Sequence, residues 1–293
     1  MGRWLVYFRE RFPPGQYAAG LGAFTWAVLA YAGALGGARG LPPAWPFLAA
    51  FVVTFLFFLQ LRILDEYKDY QDDLRYRPYR PVPRGLVTLP ELGRLWLAAA
   101  AVQVALSVAL GPAPAVLLVA VLMYSGLMRV EFFAPAWLRA HPLTYMGTHM
   151  VIVPLVALFI AACAGPLPPL RAMAPLLALA YLNFSVFELG RKIRAPDEEE
   201  TGVETYSVLW GRRRAALAWL AALWGAGAVG LAAAQRAGIV PVYATCALAL
   251  ALAASAAAAW FLRSARPKGA VFRAASAVWL LGIHLVFGLA LAL

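Results

Sequence analysis

Residues 45–64 read WPFLAAFVVTFLFFLQLRIL, and Arg62 is the only charged residue among them. An α-helix needs roughly 20 apolar residues to cross the ~30 Å hydrocarbon core of a lipid bilayer. The stretch has that length, and a charged run, DEYKDYQDD at residues 65–73, follows it directly. This part of the sequence therefore predicts a transmembrane helix that ends at a charged membrane surface.

Eight further stretches share this length and apolar character. The nine together cover approximately residues 17–37, 45–64, 93–111, 113–130, 143–163, 171–190, 214–234, 241–262 and 273–292. The chain of 293 residues is 63% hydrophobic and 13% charged, with a mean hydropathy of +0.73, whereas soluble domains are about 45–50% hydrophobic and about 25% charged. We expect an all-α, polytopic membrane protein with a single domain, residues 1–293. Its first part, residues 1–16, is expected to lie at the membrane interface.

The basic residues predict the orientation of the chain in the membrane. All of the 25 Lys and Arg residues except Arg39, Arg171 and Arg236 flank the N-terminal segment or the connections after the second, fourth, sixth and eighth stretches. Basic residues near short loops stay in the cytoplasm. We therefore expect a cytoplasmic N-terminus, in the inner (plasma) membrane of the cell. The net charge of +11 then belongs to one membrane face, and nucleic acid is not an expected partner.

The carboxylates of the charged run have an ordered spacing. On a continuing helix, Asp65, Asp69 and Asp73 are four residues apart and form one acidic stripe, with Glu66 beside it. Carboxylates suit Mg²⁺, which commonly completes its coordination with phosphate oxygens of a substrate. Guanidinium groups suited to binding phosphate follow in a proline-containing loop: Arg75, Arg77, Arg80 and Arg84. The two features predict a metal-dependent site for a phosphate-bearing substrate.

This segment resembles the first signature of the UbiA superfamily of intramembrane prenyltransferases, which reads N-D-x-x-D-x-x-x-D and then P-x-R-P with a nearby glycine. Asp65 and Glu66 stand where the family has Asn and Asp, and Asp69 and Asp73 match it. The second part is matched by Pro78, Arg80, Pro81 and Gly85. The resemblance implies that the four carboxylates bind Mg²⁺ and that Arg80 and Arg84 neutralise a leaving diphosphate.

A second resemblance to this family follows the sixth stretch, where G-x-x-T-L-P-V-x-x-G is matched by Gly202, Thr205, Val208 and Gly211. The aspartate motif that precedes it in the family is replaced here. Glu188 remains at the end of the stretch, and it is expected to bind a second metal ion or to orient the acceptor. Arg191, Lys192 and Arg194 follow it, and we predict that at least one of them binds phosphate directly, with Lys192 as the first choice. The acidic residues 197–200 are expected to form a solvated loop.

Two further positions are candidates. Tyr124 and Arg129 resemble the Tyr-Ser-x-x-x-Lys/Arg element of the family and are expected to orient the diphosphate or the acceptor. His149 lies inside an apolar stretch, where a polar side chain is costly. It is interpreted either as a packed, hydrogen-bonded residue or as a site residue.

The resemblance implies nine transmembrane helices around a central cavity. It also implies Mg²⁺-dependent ionisation of an isoprenoid diphosphate and transfer of the prenyl group to a small or lipid acceptor. Two related activities remain open: a phosphoribosyl-type transferase acting on a polyprenyl phosphate, which the basic second motif favours, and a membrane terpene cyclase. A transporter is an alternative from another class, but its charged residues would be expected near the bilayer midplane.

Overall fold

The computed structural model describes residues 2–293, and over that range the secondary structure is entirely helical. Nine segments in this range are long and apolar enough to cross a membrane, which confirms the prediction. They are Pro14–Leu35 (α2), Ala44–Lys68 (α3), Leu89–Leu110 (α5), Pro112–Arg129 (α6), Pro142–Ala162, Leu170–Arg191 (α10), Arg212–Ala237 (α12), Val240–Arg263 (α13) and Ala270–Ala292 (α14).

Shorter helices connect or subdivide these spans. The segment Pro142–Ala162 is divided into Pro142–Met150 (α8) and Ile152–Ala162 (α9). Four short helices lie outside the spans: Arg3–Arg11 (α1), Tyr70–Tyr76 (α4), Pro135–Ala140 (α7) and Tyr206–Trp210 (α11). Two 3-10 turns, Glu131–Phe133 and Pro196–Glu198, complete the chain.

The nine spans form a closed ring. Each span contacts the next one along the chain, and α14 contacts α2, so the last span closes against the first. Two buried tryptophans donate hydrogen bonds to polar side chains of other spans: Trp279 donates to Asn183 (2.9 Å) and Trp219 donates to Ser276 (2.9 Å). In a hydrocarbon environment an unpaired polar group is expensive, so these bonds hold α14 against α10 and α12.

The N-terminal helix α1 lies across the ends of α3 and α5. Tyr7 and Phe12 are fully buried and pack in one apolar cluster with Ile63 of α3 and Leu92 of α5. Because α1 is fixed at the charged end of α3, it forms one wall of the region that carries the predicted site.

The two charged loops, residues 69–88 and 192–211, meet at the same end of the ring. The Tyr79 hydroxyl donates to Glu200 at 2.5 Å. Gly202 has a left-handed backbone (φ +75°), and a Cβ atom at this position would lie 2.4 Å from the Tyr76 ring. Both the conformation and the close approach therefore require glycine.

Candidate active site

The aspartates at the end of α3 keep their predicted spacing although the helix is interrupted. α3 ends at Lys68, and Asp69 (φ −90°, ψ 4°) joins it to α4. Backbone hydrogen bonds continue through the junction, from the Asp69 N–H to the Asp65 carbonyl (2.9 Å) and from the Asp73 N–H to the Asp69 carbonyl (2.8 Å). The four-residue register of the acidic stripe is therefore retained.

Cations of the chain itself hold two of the four carboxylates that were expected to bind metal. Asp73 is buried and pairs with Arg77 (2.7 Å) and Arg80 (2.8 Å). Glu66 is 2% exposed and pairs with Arg11 of α1 at 2.5 Å. No three Asp, Glu, His or Cys side chains within residues 2–293 converge as a ready metal site. The four carboxylates therefore do not converge on one point in this structure, and their binding of a metal ion stays a prediction. Glu66 lies about 100° around the helix from the stripe, and there it meets α1.

Asp65 and Asp69 are the members of the stripe that remain available to a ligand. The Asp65 side chain is 45% exposed and pairs with Arg62 at 3.2 Å. Among the described residues Asp69 makes no ion pair, and burial together with the Asp65 charge raises the pKa of Asp69. Protein sites for Mg²⁺ commonly supply one or two carboxylates and leave the other positions to water and substrate phosphate. The two aspartates fit that role.

Arg80 and Arg84, which were expected to bind the diphosphate, both make hydrogen bonds to other residues of the chain. Arg80 bonds to both oxygens of Asp73 (2.8 and 3.1 Å). Arg84 is exposed and bonds to Glu10 of α1 (2.9 Å) and to the Tyr79 carbonyl (2.7 Å). Arg80 therefore lies within the acidic stripe, whereas Arg84 ties the loop to α1.

The second motif forms a compact cluster at the end of α10. Glu188 accepts a bidentate pair from Arg191, one contact at 2.8 Å, and lies 3.2 Å from the Lys192 ammonium. Lys192 also lies over the Tyr206 ring, 5.5 Å from its centre. Arg191 is close enough to Asp65 for the two charges to interact. The cluster has two cations for one carboxylate, so it presents net positive charge near the acidic stripe.

Arg194 is turned into its own loop, away from this cluster. Its guanidinium donates to Glu200 (2.8 Å) and to the Glu198 carbonyl (3.1 Å). Burial opposes ionisation of Glu200, but hydrogen bonds from Tyr79 and Arg194 outweigh it, so the pKa of Glu200 is lowered. Arg194 therefore holds Glu200, and Glu200 in turn bonds to Tyr79 of the other charged loop.

The acidic loop 197–200 is more ordered than a solvated loop. Glu198 accepts from the Gly269 N–H (2.9 Å), which fixes the loop to the start of α14. Glu199 accepts from the hydroxyls of Thr205 (2.8 Å) and Ser207 (2.6 Å), which fixes it to the start of α11. The hydrogen bonds of Glu198 and Glu199 therefore fix the backbone of the second motif.

Tyr124 and Arg129 lie on α6, which contacts α3. The Tyr124 hydroxyl donates to the Thr148 carbonyl at 2.7 Å and so joins α6 to α8. Arg129 is exposed, and its guanidinium lies 5.9 Å from the centre of the Tyr67 ring. Arg129 thus reaches toward the end of α3, whereas the Tyr124 hydroxyl is engaged by backbone.

Residues 26–292 match the UbiA prenyltransferase family. The chain belongs to this family. The match covers nearly the whole chain and confirms the resemblance inferred from the two motifs. No curated protein matches the sequence significantly.

Solved structures of UbiA-family proteins share the fold. A UbiA homologue from Aeropyrum pernix K1, without ligand, superposes with a TM-score of 0.66 at 18% identity, over 91% of this chain and 95% of that one. A structure of digeranylgeranylglyceryl phosphate synthase gives 0.62 at 14% identity, over 100% and 99%. A UbiA homologue from Archaeoglobus fulgidus, bound to GPP and Mg²⁺, gives 0.54 at 13% identity, over 94% and 99%.

Several polar residues of this UbiA-family protein were not singled out from the sequence as site residues, although they surround the acidic stripe. Arg62 of α3 pairs with Asp65. Lys68, inside the acidic run, bonds to the Tyr145 hydroxyl and lies 3.3 Å from Glu131. The position of Lys68 between Glu66 and Asp69, two predicted metal ligands, could have indicated from the sequence that it belongs to the site. Its partners, Glu131 and Tyr145, come from distant parts of the chain, and no sequence pattern indicated that they would lie near Lys68.

Proposed function

We propose that this chain is a Mg²⁺-dependent prenyltransferase that takes the prenyl group from an isoprenoid diphosphate at the cytoplasmic face of the plasma membrane and passes it to a small or lipid acceptor. The observation that carries the proposal is the juxtaposition of two available aspartates, Asp65 and Asp69, with the net positive cluster of Arg191 and Lys192. A diphosphate bound with its metal ion needs carboxylates to bind the metal ion and cations to bind the phosphate oxygens. The related A. fulgidus protein, described with GPP and Mg²⁺, supports this choice of donor.

Asp65 and Asp69 would hold the Mg²⁺ together with oxygens of the substrate. A bound Mg²⁺ supplies Lewis-acid stabilisation of the negative charge that develops on the departing diphosphate. Arg191 and Lys192 would bind the remaining phosphate oxygens, since both are available by exchanging part of their contact with Glu188 for contact with phosphate. Charge-assisted hydrogen bonds of this kind are the stronger ones.

Three charged residues hold the acidic stripe in place. Arg77 and Arg80 fix Asp73, and Arg11 fixes Glu66, so the segment that carries Asp69 is held at both ends. Fixed positions matter because preorganised charge costs no rearrangement during the reaction. We therefore assign positioning roles to Glu66 and Asp73.

A phosphoribosyl-type transferase acting on a polyprenyl phosphate is the second candidate. The observation that favours it is the replacement of the second acidic motif by Arg191 and Lys192, which suits direct contact with a phosphate. Such an enzyme would consume a sugar diphosphate, whereas the first candidate consumes an isoprenoid diphosphate.

The test is diphosphate release by the purified protein. Isoprenoid diphosphates of increasing length, and phosphoribosyl diphosphate with a polyprenyl phosphate, are supplied with Mg²⁺ or with a chelator. We expect Mg²⁺-dependent release from an isoprenoid diphosphate that is lost in Asp69→Asn. Asp72→Asn is the matched control, because Asp72 is an exposed carboxylate of the same motif. Release from the sugar diphosphate alone would select the second candidate, and equal loss in both variants would contradict the assignment of Asp69.

A further inference from the structure

A second polar cluster lies beside the acidic stripe, on the side opposite α1. It consists of Lys68 from α3, Glu131 from the turn after α6 and Tyr145 from α8. Glu131 lies 3.3 Å from both the Lys68 ammonium and the Tyr145 hydroxyl, and Lys68 also bonds to that hydroxyl. Three separate elements thus converge on one small polar group next to the proposed metal site.

The backbone that presents Glu131 is unusual. Glu131, Phe132 and Phe133 are consecutive non-glycine residues with φ values of 47°, 51° and 60°. A left-handed backbone is strained for residues other than glycine, and such residues gather at functional sites. The turn directs Glu131, which is 9% exposed, toward Lys68. A helix end of ordinary backbone conformation could end α6 without strain, so we take the strained turn as a sign that the position of Glu131 matters.

His149 is stacked on Tyr145 of this cluster, and one of its ring nitrogens has no hydrogen-bond partner in the described part of the chain. Its Nδ1 lies 2.8 Å from the Tyr145 carbonyl. A carbonyl only accepts hydrogen bonds, so Nδ1 carries the proton and Nε2 of the neutral ring carries a lone pair. Nε2 is buried and has no hydrogen-bond partner in the described part of the chain. The ring is stacked on Tyr145, with centres 4.2 Å apart, and Phe132 contacts it edge-on at 5.7 Å.

The orientation of His149 is therefore fixed on the polar cluster that adjoins the acidic stripe. Lys68 and Glu131 both contact the hydroxyl of Tyr145, on whose ring His149 is stacked. A fixed, neutral imidazole with a buried lone pair is the arrangement of a proton acceptor. Neither the proposed metal site nor the diphosphate contacts use it.

We propose that His149 Nε2 accepts the proton of a hydroxyl-bearing acceptor, and that the Lys68–Glu131–Tyr145 cluster holds the imidazole in place for this step. The proposal rests on the proposed function. In the step, the bond from C1 of the prenyl group to the diphosphate oxygen breaks, and the electron pair leaves with the diphosphate. A lone pair of the acceptor oxygen forms the new bond to C1, and the hydroxyl proton passes to Nε2.

The experiment compares two hydroxyl probes with different acidities. Purified protein is given geranyl diphosphate and Mg²⁺ with either 1-decanol or 4-propylphenol in detergent micelles. Diphosphate, geraniol formed by capture with water, and the geranyl ether are quantified. The readout is the ratio of ether to geraniol. This ratio reports capture of the prenyl group after ionisation.

His149→Phe keeps the ring contacts and removes both nitrogens, and His149→Gln keeps polarity but cannot accept a proton. In both variants we expect the decanol ratio to fall about a hundredfold, in the range typical of general bases. The phenol ratio should fall much less because its hydroxyl loses a proton more easily. His141→Phe is the matched control: His141 also contacts the carbonyl four residues before it (2.8 Å) and stacks on that residue, Trp137, but it is exposed.

Each outcome decides a different claim. Equal ratios in wild type and both His149 variants would overturn the role of His149. An equal fall with both probes would indicate a packing role and would also overturn it. Diphosphate release by the wild type without ether formation from either probe would overturn the hydroxyl acceptor. A wild type that releases no diphosphate from any isoprenoid donor would refute the proposed function itself.

Discussion

The buried ion pair between Arg11 and Glu66 gives a sharp test of whether Glu66 binds metal or positions the acidic stripe. The pair is 2.5 Å long, and its side chains are 10% and 1% exposed. Removing one partner of a buried pair leaves an uncompensated charge and costs about 3–5 kcal/mol. We therefore expect Glu66→Gln and Arg11→Met each to lower the thermal stability of the detergent-solubilised protein and to reduce turnover, because each breaks the ion pair that ties α1 to α3.

The double variant separates the two roles. If Glu66 acts through Arg11, Arg11→Met/Glu66→Gln loses much less stability than the two single changes together and recovers part of the turnover. The control is the exposed pair of Arg84 and Glu10, 36% and 39% exposed at 2.9 Å. There the same changes should cost less than about 1 kcal/mol. Turnover abolished in Glu66→Gln, normal in Arg11→Met and unrecovered in the double variant would refute the positioning role and restore Glu66 as a metal ligand.

Three further predictions follow from the site. Lys192→Ala should raise the dissociation constant of a diphosphate donor, measured with Mg²⁺, roughly ten- to a hundredfold, since a charge-assisted hydrogen bond contributes about 1.5–3 kcal/mol; Arg194→Ala should change it little, and the reverse order would contradict the assignment. Burial and Asp65 raise the pKa of Asp69, so the folded metal-free protein binds more protons than the unfolded chain, and its stability should fall as pH rises through that pKa; an Asp69→Asn variant with the same pH slope in thermal melts would count against this. A cysteine introduced in the 75–85 loop should react with an impermeant reagent only from the cytoplasmic side, and labelling only from outside would reverse the orientation of the site.

The membrane spans could be predicted from the sequence because the bilayer imposes a length on every apolar helix. The predicted stretch 45–64, for example, lies within the observed helix Ala44–Lys68. The acidic stripe was likewise predictable, because the spacing of Asp65, Asp69 and Asp73 depends on one local helix. Backbone bonds across the Asp69 junction preserve that spacing.

The partners of the charged residues could not be predicted in the same way. Glu66 pairs with Arg11, and Lys68 pairs with Glu131, across contacts between elements that are far apart in sequence. Such pairs depend on how whole helices pack, which the local pattern does not determine. The left-handed turn at 131–133 contains no glycine, so the usual sequence signal for that conformation was absent.

The central claim is that the chain cleaves the bond between C1 of an isoprenoid and its diphosphate. The direct measurement uses a geranyl diphosphate labelled with ¹⁸O at the oxygen that joins C1 to phosphorus. Purified protein is incubated with this donor and Mg²⁺ in unlabelled water, and the released diphosphate is analysed by mass spectrometry. We predict that the label is found in the diphosphate, because the C1–O bond breaks, and that release stops in Asp69→Asn. Label retained in geraniol, with unlabelled oxygen entering the phosphate product, would show cleavage at phosphorus and would contradict the proposed prenyl transfer.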